Sequence, residues 1–254
     1  MKTKSQRAGQ RQSQLVQPLK WHGGKHYQAK RIVDLMPPHL HYVEPYFGGG
    51  AVLFARDPDR DWYQGADDWT GKSHQRGCSE IINDINGDLA NFFKVLKSEV
   101  LFQELQRQID VTPFSMQIFL EAKATMSDGT PVDRAYKFFI CNRQSRQGLG
   151  KDFATLSRNR TRGRMNEQTS AYLGAIEGLA AIHERLKSVV ILCGPALDVI
   201  SQQDGLKTLF YLDPPYLHET RVTTADYAYE MTRRDHAELL DLIKTCKGKV
   251  MLSG

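Results

Sequence analysis

The tetrapeptide Asp213-Pro214-Pro215-Tyr216 directly follows an apolar run at 209–212. A buried strand ending there sets its carboxylate at the C-terminal rim of an open α/β sheet, where such sheets bind ligands. Two prolines fix the backbone and remove two N–H donors, so the turn presents carbonyl oxygens. An acceptor-only platform beside an aromatic face suits an amino group on a flat ring. The exocyclic amine of adenine or cytosine is a poor nucleophile, because its lone pair is delocalised into the base. A carboxylate and a carbonyl that accept its two N–H bonds pull the nitrogen toward a tetrahedral, nucleophilic geometry. Tyr216 would stack on the ring once the base had left its duplex. The plainer alternative is a strand-ending Pro-Pro turn with a core tyrosine.

Three further runs carry weaker signals. Val43-Glu44-Pro45-Tyr46-Phe47-Gly48-Gly49-Gly50 places an acid and a glycine run between a strand and a helix. That arrangement forms a backbone nest and allows close ligand approach, although a tight strand-to-helix turn needs glycine in any case. It lacks the GxGxxG spacing of a dinucleotide loop, and Gly71-Lys72-Ser73 lacks the upstream glycine of a phosphate-binding loop. Asp84, in Asn83-Asp84-Ile85-Asn86-Gly87-Asp88-Leu89, would end a second strand where this architecture holds a ribose hydroxyl pair; a plain helix N-cap is the competing reading. Lys20-Trp21-His22-Gly23-Gly24-Lys25 precedes the first strand, with Trp21 and Lys25 equally explicable as core and solvated residues.

The elements that must position these residues are legible as short apolar runs alternating with helical patterns, the rhythm of an α/β sheet. Strands are expected at 42–45, 80–84, 189–193, 209–213 and 249–253, and helices at 50–55, 87–96, 196–202 and 232–246, the last N-capped by Thr232. Residues 57–78 read as a polar loop and 1–17 as a disordered basic arm. About a hundred residues separate the second and third strands, far more than a crossover helix needs, so an inserted, largely helical subdomain is expected there. It holds a basic block: between 134 and 166 nine Lys/Arg face one acid, +8 in all, while the rest of the 254-residue chain sums to −3. Such a block suggests a polyanion met by one region, or else a solvated basic face. No run of about 18 apolar residues suggests a membrane span. The polar N-terminus lacks a secretory h-region, and the four cysteines show no CxxC spacing. A reducing cytoplasm and no metal site are the expectations.

Taken together and in order, Lys-Trp-x-Gly-Gly-Lys, Glu-Pro-aromatic-x-Gly-x-Gly, Asn-Asp-x-Asn-x-Asp-Leu, a long insertion and Asp-Pro-Pro-Tyr resemble the Dam-like (D12 class) N6-adenine DNA methyltransferases. The likeness runs from about Leu19 to Gly254 and includes Asn142-Arg143 within the insertion. It implies a Rossmann-like methyltransferase sheet at 18–98 and 188–254, interrupted by a helical target-recognition insertion at 99–187. It also implies S-adenosylmethionine as methyl donor. Trp21, Lys25, Tyr46, Gly48 and Gly50 would line the donor's methionine half, Asp84 would take its ribose hydroxyls and Asp198 would sit by its adenine. Asp213, Pro214, Pro215 and Tyr216 would hold the flipped adenine, with Asp213 also near the methionine group. Transfer would be direct, in line, and without metal.

The likeness also implies double-stranded DNA as partner, a companion restriction endonuclease as a possible one, a monomer, and a cytoplasmic, nucleoid-associated location. Arg143, Arg146, Gln147, Lys151, Arg158, Arg160, Arg162, Arg164 and Asn166 are the expected DNA contacts. Family members that read GATC carry Tyr-Asn-Gly-Leu-x-Arg where this chain has Arg146-Gln147-Gly148-Leu149-Gly150-Lys151. Lysine cannot reproduce arginine's bidentate fork on guanine, so a target other than plain GATC is expected. The family sheet continues past the fifth strand, so C-terminal strands look missing here. A non-catalytic DNA-binding remnant, or an amino-methyltransferase acting on cytosine N4, RNA or a protein amide, are the alternative readings.

Overall fold

The computed structural model describes residues 15–60, 62–63, 77–216 and 231–253. The order begins α1 (Ala29–Asp34), β1 (His41–Glu44), α2 (Ala51–Ala55), β2 (Ser79–Asn83), α3 (Gly87–Lys97). It continues through α4 (Glu99–Asp110), α5 (Met116–Ala124), α6 (Pro131–Gln144) and a 3-10 turn at Arg146–Gly148. A small hairpin, β3 (Thr161–Arg162) with β4 (Met165–Asn166), leads into α7 (Glu167–Leu186). The chain then runs β5 (Val189–Leu192), α8 (Ala196–Gln203), β6 (Thr208–Leu212), α9 (Arg233–Thr245), β7 (Lys249–Leu252).

Five strands form one parallel sheet in the order β5-β2-β1-β6-β7. This is a Rossmann-like order: the chain works outward from β1 through β2 to β5, then returns to the other side of β1. The direction reverses between β1 and β6, which opens a crevice at their C-terminal ends. Both faces of the sheet are covered, which explains why its strands read as short continuous apolar runs. Tyr42, Ile82, Leu209 and Tyr211 point into a core shared with α3, α4, α6 and α7. Val43, Ile81, Phe210 and Leu212 point the other way, onto Val199 and Ile200 of α8 and Leu239 of α9.

The helical stretch between β2 and β5 is joined to that first core. Phe139 of α6 stacks on Phe92 of α3 with ring centroids 6.0 Å apart. A capping box between Thr130 and Asp133, with proline in the first turn, starts α6. The stretch is not wholly helical, because Gly163 (φ 56) and Arg164 (φ 65) make the two-residue turn of the β3–β4 hairpin. Most of the expected 57–78 loop lies outside the described residues. Trp62 is described and buried, its indole N–H donating to the Asp57 carbonyl. No helix among the described residues is long and apolar enough to cross a membrane.

One buried cluster ties α2, β2 and α7 together. Glu80 receives Arg185 Nη1 at 2.6 Å and Arg56 Nε at 3.1 Å, and the Arg56 guanidinium lies 3.7 Å from the Tyr42 ring centroid and 4.3 Å from that of Trp62. Removing the shared carboxylate strands two buried cations. Glu80→Ala should therefore lower the unfolding free energy by about 3–5 kcal/mol in urea titrations; a loss under about 1 kcal/mol would contradict a buried network.

Candidate functional site

The C-terminal ends of β1, β2 and β6 converge on a cavity of about 900 Å³. After β1 the chain turns through Gly48 (φ 51) and Gly50 (φ 77) into α2, a backbone that side chains rarely adopt. Space imposes the same choice. A Cβ on Gly48 would come within 3.0 Å of three Trp21 indole atoms, and one on Gly50 within 3.0 Å of the Phe47 and Phe54 rings. The indole of Trp21 thus lies flush against the glycine turn.

Asp84, at the end of β2, braces this turn from the side. Its carboxylate accepts from Gly48 N and from Asn86 N, both at 2.9 Å. Burial raises its pKa, and those backbone N–H bonds pull it back down. Asn86 in turn caps α3, accepting from Asp88 N and Leu89 N.

Asp213 follows β6. Lys25 Nζ stands 2.7 Å from Asp213 Oδ1 and 2.6 Å from the Tyr216 hydroxyl. Burial raises the Asp213 pKa, a rise that Lys25 opposes. For Lys25 burial acts to lower the pKa, and the bonds to Asp213 and Tyr216 outweigh it, so the amine is held above its ordinary value. Behind the turn, His236 Nε2 lies 2.9 Å from the Pro215 carbonyl oxygen and ties α9 to it.

Trp21, Lys25, Tyr46, Gly48, Gly50, Asp84, Asp213, Pro214, Pro215 and Tyr216 all line the one cavity. Asp198 does not: it lies exposed in the first turn of α8, while Gly194, Pro195, Ala196 and Leu197 just before it form the wall. Lys151 lines the mouth, whereas Arg146 and Gln147 stand exposed beside it. Arg158, Arg160, Arg162 and Arg164 are exposed on and before the hairpin, away from the cavity wall.

Two residues expected on DNA are engaged inside the protein. Arg143 is 9% exposed and donates to the Ala171 carbonyl. Asn166 caps α7 through Gln168 N and donates to the Ser157 carbonyl. Among the described residues no group of three or more His, Cys, Asp or Glu side chains is placed to hold a metal ion.

Three wall residues carry no site role in the sequence motifs, although two of them, Lys20 and Glu44, stand within those motifs. Gln17, assigned to the arm, lines the cavity, and its buried Oε1 has no hydrogen-bond partner among the described residues. Lys20, part-buried, also lines the cavity. Glu44 is 2% exposed and accepts a hydrogen bond from the Tyr42 hydroxyl. Burial pushes the Glu44 pKa from 4.5 up to about 8, against the opposing pull of Tyr42 and Arg56. The native state therefore holds a proton that the unfolded chain releases, so this stabilisation is full below 4.5 and is lost as pH rises through about 8. Glu44→Gln, which mimics the protonated acid, should raise the melting temperature relative to the parent more at pH 9 than at pH 6. An equal effect at both pH values would place an ionised Glu44 in the native protein at pH 6.

Comparison with known proteins converges on one family. The model of the D12 class N6 adenine-specific DNA methyltransferases matches residues 21–254. The type II methyltransferase M.MjaIII of Methanocaldococcus jannaschii is 26% identical over 261 residues, covering 92% of this chain and 82% of its own length. The type II methyltransferase M1.LlaDCHI of Lactococcus lactis subsp. cremoris is 28% identical, over 92% of this chain and 79% of the relative. A DNA adenine methylase of Vibrio cholerae is 24% identical, over 90% and 76% respectively. With the glycine turn and the Asp-Pro-Pro-Tyr turn facing one cavity, and a family match over nearly the whole chain, the protein belongs to the D12 class N6 adenine-specific DNA methyltransferases.

Proposed function

We propose that this chain methylates N6 of an adenine flipped out of duplex DNA, with S-adenosylmethionine as donor. The observation that carries the reading is the placement of Asp213, paired with Lys25, on the same cavity as the Trp21-backed glycine turn. The wall suits such a donor. Gly48 and Gly50 leave bare backbone, Asp84 and Asp213 offer carboxylates, and Gln17 Oε1 is an orphaned acceptor of the kind an ammonium group satisfies. Trp21, Lys25, Tyr46, Gly48, Gly50 and Gln17 would hold the methionine half, and Asp84 the ribose hydroxyls. S-adenosylmethionine supplies, when bound, a methyl group on a positively charged sulfur. The adenine end would rest on the stretch 194–197 rather than on Asp198.

The chain's own residues then supply position and electrostatics. Asp213, whose charge Lys25 stabilises, accepts one N–H of the amine, and the Pro-Pro turn offers a carbonyl for the other. Both bonds draw electron density onto the nitrogen. Tyr216 provides the stacking face, held by its hydroxyl's bond to Lys25 Nζ. His236 fixes the turn from behind through Pro215.

In the proposed division of labour, residues 18–98 and 188–254 bind the donor and the base, and 99–187 read the duplex. Lys151 on the cavity wall and the exposed Arg146 and Gln147 beside it would meet the bases, and Arg158, Arg160, Arg162 and Arg164, on and before the hairpin, the phosphates. Losing the guanine-reading arginine favours a site other than GATC. Work beside a restriction endonuclease fits the type II methyltransferase names of two relatives; a monomer acting on the nucleoid is proposed with it.

Asp213→Ala should lower methyl transfer by at least about 100-fold, the scale on which a positioned charge-stabilising group acts, while DNA affinity in gel-shift titration is retained. Turnover near that of the parent would remove Asp213 from the active site.

A further inference from the structure

A single backbone residue joins the two halves of the site, and the side chain of Asn142 grips it from both sides. Asn142, 5% exposed at the end of α6, accepts from Lys20 N at 2.8 Å and donates to Lys20 O at 2.8 Å. The same amide nitrogen donates to Gly148 O at 3.1 Å. Both polar atoms of the Asn142 side chain are thus engaged within the chain. Gly148 (φ +79) lies so close that a Cβ there would stand 2.6 Å from Lys20 Cβ and 2.9 Å from Lys20 C. The Lys20 side chain completes the clasp, with Nζ 2.9 Å from Arg143 O and 3.1 Å from Gln168 Oε1.

On one side of the clasp is a closed loop, 145–153. A bridge between Ser145 and Phe153 shuts its neck, Arg146 N donates to Asp152 O at 2.8 Å and Gly150 N donates to Ser145 Oγ at 2.9 Å. Gln147, at its tip, is held at φ 57, a left-handed conformation costly for a residue with a Cβ. On the other side is Trp21, next in chain to Lys20, whose indole backs the glycine turn; four residues further on, Lys25 holds Asp213. The clasp thus links the loop, through the Lys20 backbone, to the segment that carries Trp21 and Lys25.

We propose that Asn142 is a positioning residue that couples the two substrates, so that DNA engaged by the 145–153 loop changes donor affinity through Lys20. The coupling rests on the proposed function, and by linkage it acts equally in both directions.

The test is the Kd of S-adenosylhomocysteine, measured calorimetrically, alone and with a duplex carrying the site found by sequencing DNA that the enzyme has methylated. In the parent the two values should differ by about fivefold or more, the lower end of ordinary coupling between sites. In Asn142→Asp, which cannot donate to Lys20 O or Gly148 O, the ratio should fall to within about twofold of one, with the far-ultraviolet spectrum retained. A general loss of fold would weaken both affinities without abolishing their ratio. Should Asn142→Asp not fold, Gly148→Ala opens the same contact from the loop side and should collapse the ratio likewise. Equal affinities with and without duplex in the parent, or a parental ratio in a folded variant, overturns the proposal. Failure of the parent to bind S-adenosylhomocysteine in either condition would instead count against the proposed donor.

Discussion

The contact on which the site depends is the ion pair between Lys25 and Asp213, residues 188 positions apart in sequence. Burial at the end of β6 raises the pKa of the Asp213 carboxylate, because a desolvated site disfavours its charge. Lys25 supplies the compensating charge, and Asp213 with Tyr216 keeps that amine protonated in return. The rest of the architecture brings the two together. The reversal of strand order puts the ends of β1 and β6 side by side. The glycine turn after β1 gives Trp21 a surface to lie on, and the loop fixed by Trp21 delivers Lys25. Asp84 braces the glycine turn through its backbone, so β2 contributes to the same arrangement.

The five sheet strands were readable because a doubly covered parallel strand leaves a short, unbroken apolar run between turn residues. Structure shifts their limits by only a residue or so, as at His41–Glu44 and Thr208–Leu212. The Thr232 cap of α9 was readable for a local reason: its hydroxyl accepts from Asp235 N, and the Asp235 carboxylate accepts from Thr232 N. The β3–β4 hairpin was not readable. Its turn places an arginine rather than a glycine or asparagine at φ 65, and its strands are two residues each, too short for any alternation to show. Helix α1 is six residues long with only Ala29 and Val33 buried, which leaves little periodic signal.

Within the site, residues that sit on a strand end or in a glycine turn were legible, because their position follows from local chain geometry. Those that act by reaching across the fold were not. Lys20 and Asn142 are 122 positions apart, and nothing local to either predicts their pairing. Gln17 is chemically ordinary and belongs to a polar stretch whose composition points to an arm. Two expected contacts, one drawn from the basic block and one from the family likeness, sit elsewhere in the structure. Arg143 belongs to the basic block by sequence, yet α6 turns it inward toward Ala171. Asp198 lies one residue beyond the wall segment 194–197, and the start of α8 turns it to solvent.

Methyl transfer from labelled S-adenosylmethionine to unmethylated DNA, with the product digested to nucleosides and identified, tests the central claim most directly. Label recovered as N6-methyldeoxyadenosine is the predicted result, and it would join donor, duplex and amine in one observation. Label in N4-methyldeoxycytidine, or folded protein that transfers none, would contradict the account.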